Sequence, residues 1–335
     1  MPDGAGRREQ FYPKADTPVP DAELRSLSGS GALVGDDVAA AIVEQAGIRA
    51  LSIERLATGT FHELFTVRSE AEAAPLVLKV TRVAPDGGLE VEAAVTARLG
   101  DAGVPTVRVH RTGSLGGAEW SLSDFADGPS LRALDGDDDA VLAALPRLAE
   151  HLRLVHGVPV QGWGLLAGRA GEGSRATWAD YLLLRLEEHL AALIGIGALD
   201  AGAADSVRAA LQRAALLDPG PARLLHGDIG PHNAILGDDV RLIDWEDALA
   251  GDPAFDVAMW ATFNPVRRWP VFFAAYHGAD WEPDFRFWAY FLRISVAKSV
   301  VRSRFGYTDV PGREPASARI PRALDAIALL PDPQN

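Results

Sequence analysis

The chain has 335 residues, 48 % of them hydrophobic, with a formal net charge of −14 and no cysteine. That length can bury a sizeable core in two domains or one domain of two lobes, and the lack of thiols excludes disulfides, a cysteine nucleophile and zinc–sulfur sites. The acidic balance argues against a nucleic-acid backbone as partner and favours a cationic ligand.

Residues 1–30 show no apolar h-region, so neither a secretory signal nor a membrane anchor is expected there, and the segment reads as a flexible tail. Residues 36–47 predict a helix: Val38, Ile42, Val43 and Ala46 share a face, Asp36 can cap it and Gly47 ends it. Short branched and aromatic runs at 51–56, 64–67 and 76–80, separated by Thr58-Gly59-Thr60 and by residues 70–75, predict antiparallel strands. Helical spacing returns over 87–100, with Leu89, Ala93, Thr96 and Leu99 on one side. Two further strands are predicted at 106–111 and 119–125. Asp127-Gly128-Pro129 is turn chemistry and marks a boundary.

Beyond that turn the pattern is mainly helical: 141–155, where Pro146 must start or kink the helix, then 178–194 and 204–216. A strand pair around 224–226 and 241–243 interrupts, and helices resume from about residue 253. The longest apolar stretch, Leu190 to Leu199, is about half of the ~20 residues needed to cross a bilayer. No membrane span follows, and a cytoplasmic location is expected. The order predicts an α+β fold of two lobes. A five-stranded antiparallel sheet with one intercalated helix occupies residues 31–123, a hinge 124–128, and a larger, mainly helical lobe 129–335.

The strongest chemical signal is His226-Gly227-Asp228-Ile229-Gly230-Pro231-His232-Asn233, followed by Ile243-Asp244-Trp245-Glu246. Phosphoryl transfer from ATP needs a carboxylate to orient the attacking hydroxyl and oxygen ligands that hold Mg²⁺ across the phosphates. Asp228 is placed to accept the hydroxyl proton, Asn233 follows at the spacing of the H-R-D-x-x-x-x-N loop, and Asp244 ends an apolar strand where it can bind metal again. His226 reads as a loop-holding residue and His232 as a loop histidine. Asp252 and Asp256 read as fold supports. Only three of the 32 basic residues are lysines, Lys14, Lys79 and Lys298, so Lys79 in mid-strand looks chosen for a point charge on phosphate oxygens.

These segments resemble the aminoglycoside phosphotransferase and choline-kinase-like family, which has H-G-D and a strand-borne Asp-Trp or Asp-Phe where protein kinases have H-R-D and D-F-G. Gly251-Asp252-Pro253-Ala254-Phe255-Asp256-Val257-Ala258 resembles the family's G-D-P-x-x-D-x-A stretch. The resemblance implies a protein-kinase-like fold, ATP or GTP as phosphoryl donor and Mg²⁺ as cofactor. It implies that Lys79 grips the α/β-phosphates with an acid on the next helix as partner. Glu92 is preferred over Glu90 because it stands seven residues before Leu99 and Val104-Pro105-Thr106; the two acids point about 200° apart on a helix. Gly59 and Thr60 are then the loop over the phosphates, and Asp124, Phe125 and Ala126 the hinge that meets adenine.

No activation loop or A-P-E element follows Asp244, so the acceptor is expected to be a small molecule. Gly162-Trp163-Gly164-Leu165, Thr177-Trp178, Tyr181 and Tyr290-Phe291-Leu292-Arg293-Ile294 resemble the hygromycin B kinase branch, which implies an antibiotic-type, sugar-containing hydroxyl acceptor and resistance as the outcome. Glu246 and Asp247, with Asp228, are the first candidates for acceptor contacts, and Asp280, Glu282 and Asp284 read as surface acids. The four tryptophans from Trp260 to Trp288 read as core rather than a sugar platform. Alternatives are a metabolic kinase for a sugar, amino alcohol or nucleoside, a non-catalytic nucleotide-binding regulator, and a metal-dependent hydrolase using His226, Asp228 and His232. A monomer or homodimer is expected.

Overall fold

The computed structural model describes residues 34–58, 62–71, 73–81, 87–169, 171–306 and 314–331. The expected tail at 1–30, Gly59 and Thr60 lie outside the described residues. Helix α1 (Asp36–Gln45) buries Ala39, Ile42 and Val43. Strands β1 (Ala50–Thr58), β2 (His62–Ser69), β3 (Leu76–Thr81), β4 (Val109–Leu115) and β5 (Ala118–Asp124) form an antiparallel sheet in the order β1-β2-β3-β5-β4. Period-2 alternation puts Phe65 and Val67 of β2, Leu78 and Val80 of β3, and Trp120 and Leu122 of β5 into one core with α1. Between β3 and β4, α2 (Gly88–Asp101) buries a stripe that runs through Leu89, Val91, Glu92, Val95 and Leu99.

The strand expected at 106–111 is displaced. Thr106 is used elsewhere, forming an isolated parallel bridge to Leu242 and donating its hydroxyl to Leu242 O at 2.8 Å. β4 therefore begins at Val109 and runs on to the Gly116-Gly117 turn, where φ values of 60° and 88° suit residues without a Cβ.

Beyond the sheet, α3 (Asp138–Gly157) starts three residues earlier than periodicity suggests. Asp137 caps it by accepting from Ala140 N at 3.1 Å, and Pro146 lies inside the helix rather than at its start. The single helix expected at 178–194 is two, α4 (Trp178–Leu182) and α5 (Leu186–Gly195). Arg185 breaks the run at φ 56°, and the carbonyls of Leu182 and Leu184 are taken by the buried guanidinium of Arg293, at 2.7 Å each. α6 (Ala201–Ala214) follows.

Short strands then build the floor of the cleft. β6 (Trp163–Ala167), β7 (Glu172–Arg175), β8 (Arg223–Leu225) and β11 (Leu249–Gly251) make a sheet of order β7-β6-β11-β8, while β9 (Ala234–Leu236) pairs with β10 (Val240–Leu242). The expected pairing of 224–226 with 241–243 is thus replaced by β8 with β11 and β9 with β10. Helices α7 (Pro253–Phe263), α8 (Trp269–His277), α9 (Phe285–Phe305) and α10 (Arg319–Leu329) complete the helical part. α9 is buried on every side over residues 289–300 and packs against α5, α6, α7 and α10. Trp260 and Trp269 lie in this core, and Trp281 and Trp288 pack partly buried against it. Among the described residues, no helix is long and apolar enough to cross a membrane.

Candidate active site

The catalytic-loop motif leaves β8 and is held from behind. His226 N–H donates to Asp256 Oδ2 at 2.6 Å and Gly227 N–H to Asp256 Oδ1 at 3.0 Å. Gly227 sits at φ 82°, and a Cβ there would come within 1.9 Å of Asp247 O, so the loop can pass only as glycine. The His226 ring donates from Nε2 to Ile243 O (2.9 Å), accepts from Asp228 N–H at Nδ1 (3.4 Å), and lies 4.4 Å from the Trp245 ring. With both nitrogens engaged by the backbone, it has none to offer a metal, which disfavours the hydrolase alternative.

Asp228 is thereby turned into the cleft beside His232 and Asn233. His232 Nε2 lies 3.2 Å from Asp228 Oδ2, and Asn233 Nδ2 donates to Asp228 O at 3.0 Å and to its Oδ2 at 3.3 Å. Burial by itself would raise the Asp228 carboxyl. The His232 hydrogen bond and charge, with the charge of Lys298, outweigh it and hold the acid below the usual carboxylate range. Among the described residues, Asp228 Oδ1 is buried and takes no hydrogen bond, leaving an orphan acceptor in the cleft.

Asp244 faces this loop from the segment after β10. Its φ of 66° is the left-handed conformation, which Asp tolerates better than most side chains. The next residue pins the two parts of the protein together. Trp245 is fully buried, its Nε1 donates to Thr106 Oγ1 at 2.9 Å, and its backbone N–H donates to Glu92 Oε1 at 3.2 Å.

Lys79 of β3 reaches the same point. Its Nζ lies 2.6 Å from Asp244 Oδ1, 3.2 Å from Glu92 Oε2 and 3.3 Å from Glu246 Oε2. Burial would lower the ammonium, but the Asp244 and Glu92 carboxylates hold it above its ordinary value and keep it charged. Of the two candidate acids on α2, Glu92 is the one in contact. Glu90 is half-exposed and pairs with Arg169 at 3.1 Å.

The other expected residues have these contacts. Glu246 is buried with Oε2 turned to Lys79 (3.3 Å) and to His62 Nε2 (3.1 Å). Asp247 is half-buried beside Gly227. Asp124 points its carboxylate back to His110 Nε2 (2.6 Å) and Arg108 N–H (3.1 Å), and Phe125 and Ala126 follow it in the chain. Asp252 caps α7 and receives Arg286 at 2.5 Å and the Tyr290 hydroxyl at 2.9 Å.

Two further side chains stand beside the site, His62 from the end of the segment read as the phosphate loop and Lys298, which no motif contains. His62 opens β2 and meets Glu246 across the cleft. Lys298 of α9 donates to Thr262 Oγ1 at 2.7 Å and stands over the Phe263 ring, whose edge neighbour is His232 at 5.1 Å. Burial pushes the Lys298 ammonium well down, against the pull of Asp228. The scarcity of lysine was the one signal pointing to it.

The model of the phosphotransferase enzyme family matches residues 52–291, a span that runs from β1 through Lys79, Asp228, Asn233 and Asp244 into α9. The chain belongs to this phosphotransferase family. It is a small-molecule kinase of kinase-like fold. A thermostable mutant of aminoglycoside phosphotransferase APH(4)-Ia, solved as a ternary complex with AMP-PNP and hygromycin B, is similar with TM-score 0.70 at 21 % identity, covering 88 % of this chain and 99 % of that one. A putative fructosamine-3-kinase from Haemophilus somnus is similar at TM-score 0.61 and 16 % identity, over 87 % and 96 % of the two chains. Spectinomycin phosphotransferase APH(9)-Ia, in complex with ADP and its antibiotic, follows at 0.56 and 12 %, over 87 % and 97 %. Among curated proteins, none matches the sequence.

Proposed function

We propose that this phosphotransferase moves the γ-phosphoryl group of ATP onto a hydroxyl of a small antibiotic-type acceptor. The observation that carries the reading is the convergence of Lys79, Glu92 and Asp244, from β3, α2 and the post-β10 segment, on one buried point beside Asp228 and Asn233. Lys79 grips phosphate oxygens, exchanging its Asp244 contact for the nucleotide. Asn233 spends its amide N–H groups on Asp228, and its Oδ1, which takes no hydrogen bond among the described residues, offers with the Asp244 carboxylate the hard oxygen donors that Mg²⁺ prefers. Bound there, Mg²⁺ would neutralise charge on the phosphates.

Asp228 orients the acceptor hydroxyl with its unpaired oxygen. The hydroxyl oxygen attacks the γ-phosphorus, the bond to the bridging oxygen breaks, ADP leaves with the electron pair, and the proton passes to Asp228. Its carboxyl, held ionised by His232, is ready to receive that proton.

An aminoglycoside or other sugar-containing antibiotic is supported by the similarity to kinases solved with hygromycin B and spectinomycin, and the net charge of −14 suits a cationic acceptor. The similarity to a fructosamine kinase favours a metabolic amino sugar as the second reading. The test is an ATP/Mg²⁺ assay against aminoglycosides, other antibiotics, sugars and amino alcohols, read by mass for an added phosphate. A phosphorylated antibiotic supports the first reading and turnover only on a metabolite the second. Nucleotide binding without transfer to any acceptor would overturn both.

A further inference from the structure

Behind the catalytic loop three distant helices bring together a tyrosine, a histidine and an aspartate. Tyr276 OH of α8 lies 2.5 Å from His156 Nδ1 of α3, His156 Nε2 lies 3.2 Å from Asp256 Oδ2 of α7, and Asp256 receives the N–H groups of His226 and Gly227 at 2.6 and 3.0 Å. Asp256 has no solvent exposure and His156 is 7 % exposed. The line ends on the two amides that immediately precede Asp228.

Counting protons fixes its direction. Asp256 as a carboxylate only accepts, so His156 Nε2 carries the hydrogen between them. Among the described residues Tyr276 has no hydrogen-bond partner besides His156, and with the His156 hydrogen on Nε2 its O–H points at Nδ1, which accepts. The Nε2–H tautomer is the one in which every donor in the line finds an acceptor. Burial, then the charges of Asp256 and Asp252, push the Tyr276 phenol above its ordinary value against Arg153, so it remains a donor.

We propose that Tyr276 and His156 are positioning residues for the catalytic loop: Tyr276 sets the tautomer of His156, and the His156 N–H fixes Asp256 so that both its oxygens hold the His226 and Gly227 amides and hence Asp228. The proposal rests on the reading of Asp228 as the group that orients the acceptor hydroxyl. If the three residues merely filled space, the edge-on Tyr276 ring, 5.7 Å from the His156 ring, would serve as well without its oxygen.

Tyr276→Phe, His156→Gln and His156→Asn separate these ideas. A glutamine amide nitrogen reaches where Nε2 stood and can still donate to Asp256; the shorter asparagine reaches only the Nδ1 position. Two readouts apply to the full chain: amide hydrogen exchange at His226 and Gly227, and kcat with KM for ATP. Tyr276→Phe is expected to speed exchange at both amides and to lower kcat about three- to tenfold, the rate equivalent of one hydrogen bond, with KM for ATP unchanged. His156→Gln is expected to stay close to Tyr276→Phe, and His156→Asn to fall further on both readouts. Equal behaviour of Gln and Asn, or wild-type exchange and kcat in Tyr276→Phe, overturns the proposal, as does a kcat loss without faster exchange. Should the His156 variants fail to fold, Tyr276→Phe, which deletes one atom, carries the test. Exchange needs no acceptor, so a failure of the phosphotransfer reading would leave the exchange difference in place.

Discussion

Glu92 and Trp245 are joined by a hydrogen bond of 3.2 Å from the Trp245 backbone N–H to Glu92 Oε1, across 153 positions of sequence. The other oxygen of Glu92 takes Lys79. One carboxylate therefore holds both Lys79 and the segment that carries Asp244. Lys79→Met is expected to lower kcat/KM for ATP, and Glu92→Gln to do so less, because the amide oxygen can keep the Trp245 bond. The double variant should be non-additive by about 0.5–3 kcal/mol, as for residues sharing one network. Additive losses in kcat/KM would mean that the two side chains act separately.

Asp228→Asn should lower kcat about 10²- to 10⁴-fold while leaving the dissociation constant for ATP within about a factor of two. The substitution keeps the shape of the residue, and Asn233 still finds the backbone oxygen of residue 228. Equilibrium nucleotide binding beside single-turnover kinetics would check it, and wild-type turnover would remove Asp228 from the proton-accepting role.

Asp244→Ala takes away a carboxylate that the proposed reading gives to Mg²⁺ and also frees Lys79 from its 2.6 Å contact. The Mg²⁺ concentration for half-maximal rate should rise at least about tenfold, since loss of even an outer partner of a metal ligand has that effect. Raising Mg²⁺ should restore part of the rate. A Mg²⁺ dependence unchanged from wild type would show that Asp244 is not a ligand.

The five-stranded sheet and its helix were legible because alternation and helical spacing are local signals, and the spacing from Asp228 to Asn233 is itself a statement about a loop. The floor of the cleft was not. β8, β9, β10 and β11 are three residues each and nearly all buried, too short to show a period and too apolar to show a face, so their partners could not be read. The break between α4 and α5 was invisible for another reason. It is stabilised by Arg293, more than a hundred positions away. Lys298 reaches the site through tertiary contacts alone, with no motif around it. Glu246 was read as an acceptor contact from its place near the catalytic loop, and its contacts with Lys79 and His62 are long-range ones that the sequence does not show.

Arg293→Met is expected to destabilise the fold by about 3–5 kcal/mol. The guanidinium is fully buried, donates to the carbonyls of Leu182 and Leu184, and meets His189 Nδ1 at 3.2 Å. Removing it leaves two buried carbonyls at about 1–3 kcal/mol each, and methionine replaces only its packing. Urea unfolding would measure the change, and a loss under about 1 kcal/mol would mean that the carbonyls find other donors.

Asp138 offers a check on pH dependence. Hydrogen bonds from Arg267 and from Arg268, which is 1 % exposed, hold its carboxyl down to about 2, against about 3.9 in an unfolded chain. A carboxyl depressed in the folded state contributes stability that is fully present above the unfolded value and is lost as pH falls through the folded one. The pairing therefore acts undiminished at pH 5 to 8 and fades between about pH 4 and about pH 2. Asp138→Asn removes it at every pH. The gap in urea midpoint between wild type and Asp138→Asn should accordingly be the same at pH 7 and pH 5 and should narrow at pH 3, as the wild-type carboxylate begins to protonate. A gap at pH 3 equal to that at pH 7 would mean that Asp138 acts through shape or helix capping rather than through its charge on the two arginines.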